Sequence, residues 1–256
     1  VTAQATAANA LELKGVFKSF GPADVIRGVD LAIRAGELHA IIGPNGAGKT
    51  TLFGLMSGLI PPSRGDIFLN GKRVTGLPAH RINRLGLSRS FQVTNVFPGM
   101  SVRDNIACAC LWSAGEKYRF WGGAGAKPEI EARTETIMRN MQLIERRDIQ
   151  AGVLAYAEQR ALEIAVTIAG GASVILLDEP TAGMSREETS RMIELIRGVA
   201  ASCTLVIVEH DMGVVFGLAD RISVLVQGQI IRTDAPSEIR RCPKVKEAYL
   251  GETVIA

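Results

Sequence analysis

The run Gly43-Pro44-Asn45-Gly46-Ala47-Gly48-Lys49-Thr50-Thr51 holds the residue types best suited to chemistry in this 256-residue chain. The apolar stretch Leu38-His39-Ala40-Ile41-Ile42 leads into it, and Leu52-Phe53-Gly54-Leu55-Met56 leaves it with helical spacing. Strand, Gly-rich turn and helix in that order are what a phosphate-binding loop needs. The glycines let the backbone bend until successive N–H groups point at one anion. The helix start adds a fixed partial positive charge at the same spot. Lys49 then suits the β- and γ-phosphates, and the Thr50 hydroxyl suits Mg²⁺. A chance Gly-rich turn would not need the strand and helix on either side. The segment implies a nucleoside-triphosphate site.

Two more apolar runs end in groups that complement such a site. Val174-Ile175-Leu176-Leu177 runs into Asp178-Glu179. In open α/β sheets, ligands bind at the carboxyl ends of the strands. An Asp there can hold Mg²⁺ directly or through water. A neighbouring Glu can orient and deprotonate a water for attack on a γ-phosphate. Taken alone, the pair also reads as a helix-capping turn before Pro180. The run 205–208 ends in Glu209-His210-Asp211, which brings His210 to the same edge, within reach of the γ-phosphate. His39 and His80 lack that placement and read as structural.

The elements that must hold these groups follow from periodicity. Residues 1–10 are small, uncharged and aperiodic, and read as a flexible end. Short β-like runs at 11–17, 25–33 and 66–69, with Asn70-Gly71 as a turn, predict an antiparallel β region. From about 101 to 167 the pattern turns helical. Ser101-Val102-Arg103-Asp104 and Ser185-Arg186-Glu187-Glu188 have capping-box form, the second opening a helix through Ile196. Ile130, Ile137, Met141 and Ile144 predict a helix over 129–144. The Gly- and aromatic-rich stretch 112–128 between them reads as a surface loop. Strands at 174–177, 205–208 and 222–226, separated by helices, predict a parallel sheet covered by helices. The expected fold is therefore α/β.

Composition narrows the class. Hydrophobic residues make up 47% and charged residues 21%, ordinary for a soluble globular protein. A net charge of +3 argues for no nucleic-acid partner. The apolar runs are strand-sized and too short to cross a bilayer, and no signal-peptide pattern opens the chain, so a cytosolic address is expected. Cys108, Cys110, Cys203 and Cys242 form no C-x-x-C pair, and Cys203, opening an apolar strand, reads as packing. With three histidines in all, a structural zinc site has no support.

Over residues 11–251 the chain resembles the ATP-binding subunits of ABC transporters. Asp178-Glu179, Pro180-Thr181-Ala182-Gly183-Met184 and His210 match in order and spacing that family's Walker B motif, D-loop and switch histidine. The resemblance implies a P-loop NTPase core with an antiparallel β subdomain and an inserted helical subdomain at about 93–167, all within one domain over 11–256. It implies that Phe20 stacks on adenine and that Gln92 touches Mg²⁺ and the attacking water. It also implies ATP and Mg²⁺ as ligands, with Lys49, Gln92, Glu179 and His210 as the catalytic set and Thr50, Gln92 and Asp178 toward the metal.

The sequence departs from the family at the signature, ordinarily Leu-Ser-Gly-Gly-Gln at a helix start and offered in trans to the partner subunit's nucleotide. Here it is Leu154-Ala155-Tyr156-Ala157-Glu158. The hydroxyl is lost at Ala155, Ala157 adds a Cβ, and Glu158 is expected to add negative charge near a phosphate. One lost charge-assisted hydrogen bond costs about 1.5–3 kcal/mol, so the composite site using this signature is expected to be the weaker. The Leu-Ala-Tyr triplet, Phe97-Pro98-Gly99-Met100-Ser101-Val102, Glu209-His210-Asp211-Met212 and Glu247-Ala248-Tyr249-Leu250-Gly251 resemble one branch, the importers of branched-chain amino acids. That branch implies membrane permeases, a second ATPase subunit in a homo- or heterodimer, a periplasmic solute-binding protein, and a location on the inner face of the cell membrane. Two alternatives stay open: a soluble ABC ATPase outside transport, and a subunit that binds ATP but hydrolyses it weakly. A GTPase is set aside because no Asn-Lys-x-Asp segment occurs.

Overall fold

The computed structural model describes residues 8–90, 96–115 and 127–253. The chain opens with strands β1 (Asn9–Phe20), β2 (Ala23–Arg34) and β3 (Leu38–Ile42), then helix α1 (Lys49–Met56). Strands β4 (Arg64–Leu69) and β5 (Lys72–Arg73), helix α2 (Ala79–Arg84) and strand β6 (Leu87–Arg89) follow. Next come helices α3 (Val102–Ser113), α4 (Pro128–Asn140) and α5 (Tyr156–Ala169). Then β7 (Val174–Asp178), α6 (Arg186–Ala200), β8 (Thr204–Val208), α7 (Met212–Leu218), β9 (Arg221–Val226) and β10 (Gln229–Asp234) alternate, before α8 (Pro236–Arg241) and α9 (Pro243–Thr253).

The strands form two sheets, ordered β2-β1-β4-β5 and β10-β9-β3-β8-β7-β6. The first is antiparallel. In the second, β9, β3, β8, β7 and β6 run parallel, and β10 closes one edge antiparallel. Every residue of β3, β7 and β8 is buried, which is why these strands read as unbroken apolar runs. Period-two alternation divides their side chains between two cores. Leu38, Ala40, Ile42, Ile175, Leu177, Leu205 and Ile207 face the core shared with α3–α6. Ile41, Val174, Leu176, Val206 and Val208 face the core shared with α1 and the antiparallel sheet. The parallel sheet is thus the wall between both cores, and its carboxyl edge is the natural site for ligands.

Local signals explain most boundaries. Asn70 (φ 48°) and Gly71 (φ 74°) make the two-residue hairpin turn between β4 and β5. Ser185 and Glu188 form the full capping box of α6, with Ser185 N–H to Glu188 Oε2 at 2.8 Å and Glu188 N–H to Ser185 Oγ at 3.3 Å. That helix runs on past Ile196 to Ala200. Ser101 Oγ accepts the Asp104 N–H at 3.0 Å, but Asp104 bonds back to the hydroxyl rather than to the Ser101 amide.

Three expectations shift. β1 begins at Asn9, inside the segment read as flexible, because Asn9 pairs with Arg34 and Ala10 is buried. α4 stops at Asn140 rather than Ile144, since Gln142 turns left-handed at φ 55° and Ile144 opens a separate short turn. The stretch read as a loop is helical at its margins, with Trp112 in α3 and Pro128 opening α4. Strands β6 and β10, not predicted from the sequence, pair with β7 and β9.

At the opposite edge of the sheet, His39 is fully buried, with Nδ1 2.5 Å from Glu37 Oε1 and Nε2 2.8 Å from Ser223 Oγ. Burial alone would raise the Glu37 carboxyl, but its His39 hydrogen bond and the charges of His39 and Arg221 hold it below its ordinary value. His39 is a structural group, as its lack of ligand placement implied.

Candidate active site

The turn between β3 and α1 is shaped by what surrounds it. A Cβ on Gly43 would stand 2.0 Å from the Leu225 carbonyl oxygen of β9, so only glycine lets the two backbones approach. Gly48 caps α1 at φ 104° and faces β2, where a Cβ would lie 3.1 Å from the Val25 oxygen. The first bond of the helix runs from Leu52 N–H to the Gly48 oxygen at 2.8 Å. No acidic residue lies in its first turn and no side chain caps it. The helix start is therefore set up to meet an anion from outside. Lys49 is buried, and its Nζ donates to the carbonyl oxygens of Gly43 (2.5 Å) and Pro44 (3.0 Å), which holds the ammonium in the bend of the turn. Thr50 is exposed on the first turn of α1.

β8 and β7 lie next to β3 in that order, so their carboxyl ends open beside the turn. Asp178 ends β7, is 3% exposed, and takes the Arg89 Nη2 on its Oδ2 at 2.6 Å. Arg89 lies over the Phe53 ring of α1, 5.6 Å from its centroid. Glu179 is left-handed at φ 48°, a conformation that costs a non-glycine about 1–3 kcal/mol and gathers at functional sites. Its N–H donates to the Val208 oxygen at 2.9 Å, and its Oε1 lies 2.8 Å from His210 Nε2. His210 is brought there by Glu209, which is buried and accepts the Thr181 N–H and hydroxyl on one oxygen and the His210 N–H on the other. Glu209 and Arg89 are the two residues that sequence reasoning missed. A charged group just past an apolar strand was the available signal for Glu209; Arg89 carried none.

The donor set suits a small hard cation. Thr50 offers a hydroxyl and Asp178 a carboxylate, and Mg²⁺ takes few protein oxygens because it keeps waters and phosphate oxygens. Among the described residues, no three His, Cys, Asp or Glu side chains cluster as a metal site of their own.

Phe20 ends β1, 48% exposed, with Lys18 Nζ 4.9 Å from its ring centre. It pairs with Ala23 at the start of β2, two residues before the Val25 that abuts Gly48, so the hairpin carries this aromatic toward the phosphate turn. Gln92 lies outside the described residues.

The stretch 154–158 forms the start of α5. Leu154 is buried, and Ala155 caps the helix in extended geometry without a side-chain bond. Tyr156 is exposed, with its hydroxyl accepting from Arg160 Nε at 3.2 Å. Glu158 is paired within its own chain. Its Oε2 accepts the Ala155 N–H at 3.1 Å and its Oε1 accepts Arg146 Nε at 2.8 Å. The Arg146 hydrogen bond holds its carboxyl below the ordinary value.

The profile of the family described as "ABC transporter" matches residues 26–182, a span running from β2 through the phosphate turn to Asp178-Glu179. This chain belongs to the ABC transporter family. It is 37% identical over 251 residues to the high-affinity branched-chain amino acid transport ATP-binding protein LivG of Salmonella typhimurium, covering 94% of this chain and 98% of that one. It is 35% identical over 249 residues to the corresponding protein BraF of Pseudomonas aeruginosa, with 94% and 98% covered. A solved ATP-binding cassette of an ABC transporter in its ADP conformation shares the fold at TM-score 0.81 and 24% identity, over 95% of this chain and 99% of that one. A nucleotide-free cassette matches at TM-score 0.80 and 24% identity, over 94% and 98%. The fold is the P-loop ATPase cassette, and the chain is a nucleotide-binding ATPase of a transport system. No helix among the described residues is long and apolar enough to cross a membrane.

Proposed function

We propose that this chain hydrolyses ATP to power uptake of branched-chain or other hydrophobic amino acids, or closely related solutes, through partner permeases. The observation that carries the hydrolytic part is the juxtaposition at one sheet edge: the turn holding Lys49 follows β3, Asp178 ends β7 two strands away, and Glu179 lies within 2.8 Å of His210. The solute class rests on similarity to LivG and BraF along nearly the whole chain.

In this reading Lys49 and the amides opening α1 bind the phosphates, and Phe20 stacks on adenine. Thr50 and Asp178, with Gln92, hold Mg²⁺, which when bound neutralises phosphate charge. Glu179 takes the proton of the attacking water, and His210 supports the γ-phosphate. Residues 154–158 of a second ATPase subunit complete the site, so ATP favours the closed pair because only that state makes the trans contacts. The helical stretch at about 93–167 works as the unit that carries closure to the permeases. A groove of about 480 Å³ lined by Leu59, His80, Arg84, Arg89, Trp112 and Thr167 supports a permease contact beside it. A solute-binding protein outside the membrane delivers the cargo, and this chain sits peripherally on the inner face.

Purification from native membranes, followed by reconstitution, tests this. Co-purifying permeases and ATP-dependent uptake of labelled leucine support it; ATPase activity with no permease and no uptake refutes it. The altered signature favours one second reading, a regulatory subunit that hydrolyses weakly. Turnover measured with and without the second ATPase subunit separates the two.

A further inference from the structure

Asn105, near the start of α3, is 2% exposed. Its side chain is spent on one turn. Oδ1 accepts the Phe97 N–H at 2.8 Å, and Nδ2 faces the oxygens of Phe97 (3.1 Å), Ser101 (2.9 Å) and Met100 (3.4 Å). An asparagine offers one carbonyl and two N–H donors, so this use is nearly complete. The turn at 97–101 is therefore shaped by a single buried amide.

That turn is laced to a segment some fifty positions later. Gly152 N–H donates to Pro98 O, Ala151 N–H to Met100 O, Val102 N–H to Ile149 O and Arg103 N–H to Arg147 O, each at 2.9 Å. Ser101 and Gln150 form an antiparallel bridge between the same stretches. The fit is close, since a Cβ on Gly152 would lie 3.1 Å from both the Cβ and the oxygen of Pro98. Residues 147–152 lead directly into 154–158. Arg146, at their other end, grips Glu158 on the first turn of α5. The start of α5 is thus held by its own chain on one side and by Arg146 on the other, both continuous with the segment laced to the turn.

We propose that Asn105 is a positioning residue for the signature: it fixes the turn at 97–101, and the backbone lacing passes that position to residues 154–158. This rests on the proposed trans role of 154–158. Phe97 and Val153, exposed at 61% and 74%, flank the Pro98–Gly152 bond. A push on either side of the lacing would therefore be felt at the signature.

The test uses the full chain with Asn105→Ala, Asn105→Asp and Gly152→Val. The Asp variant keeps the acceptor for Phe97 N–H but sets a carboxylate oxygen against the carbonyl oxygens of Phe97, Met100 and Ser101. Gly152→Val wedges the lacing while leaving Asn105 intact. By hydrogen exchange, Asn105→Ala should speed the amides of Ala151 and Gly152 at least tenfold, with 43–51 unchanged. In a Glu179→Gln background, the affinity of the single chain for a fluorescent ATP analogue should stay within twofold. The ATP concentration that closes the dimer should rise at least tenfold for Asn105→Ala, Asn105→Asp and Gly152→Val. Unchanged exchange at Ala151 and Gly152 overturns the proposal, as does a parallel loss of single-chain ATP affinity and dimer closure. If Glu179→Gln alone forms no dimer at any ATP concentration, the trans reading fails, and the exchange result still decides whether Asn105 holds 147–152.

Discussion

Two helix starts in this molecule carry segments proposed to meet phosphate, and they are finished in opposite ways. The first turn of α1 has no acidic residue and no side-chain cap. Around it, Gly43 and Gly48 are forced by close backbones and a left-handed φ. The first turn of α5 is already occupied by a carboxylate of its own chain, with Glu158 bonded to the Ala155 amide and to Arg146. A helix N-terminus attracts anions wherever it occurs. Whether it is available to a ligand depends on what the chain has already put there. One start is kept for an outside anion, and the other has been partly satisfied from within.

The strongest way to break this comparison is at the complete site. Glu179→Gln should retain ATP binding and lower phosphate release by about 10²–10⁴-fold, the usual range for a general base. A wild-type rate of phosphate release in that variant would remove Glu179 from the role. Lys49→Ala should weaken ATP binding by roughly 10- to 150-fold, on about 1.5–3 kcal/mol for a charged hydrogen bond, as read by calorimetry. An affinity within threefold of wild type would mean that the open start of α1 needs no ammonium.

The signature gives smaller effects. Ala157→Gly with Glu158→Gln should raise turnover of the assembled complex by roughly two- to fivefold, since a charge at a helix start is worth about 0.3–1 kcal/mol. Unchanged turnover would mean the internal pairing of Glu158 costs the site nothing. Acid titration sharpens the same point. Arg146 holds the Glu158 carboxyl below its ordinary 4.5. A carboxyl lowered on folding contributes stability that is complete above its unfolded value and lost as pH falls through the folded one. The Ala155 amide should therefore lose exchange protection as pH drops below 4.5 into that window, while Leu52 in α1 does not. Equal behaviour of both amides would erase the contrast.

The phosphate turn and the acidic strand end were legible because their signals are local: a spacing of glycines, and a buried parallel strand that must be apolar throughout. Asn70-Gly71 was legible for the same reason. What escaped depends on partners that only folding brings near. Arg89 ends a three-residue strand and meets Asp178 from 89 positions away. Glu158 looked like an intruding charge because its neutralising partner, Arg146, sits twelve residues earlier. The stop of α4 at Asn140 was hidden by Met141 and Ile144, which keep helical spacing past the point where Gln142 turns left-handed. The cores were readable from periodicity, whereas the ion pairs of the site were not.

The left-handed backbone at Glu179 sets two kinds of selection against each other. Only glycine takes φ 48° without steric cost, yet glycine has no carboxylate. A variant library sorted for folded, abundant protein should enrich glycine at 179, and the same library sorted for ATP turnover should purge it. Overlaying the two enrichment maps would then single out this position.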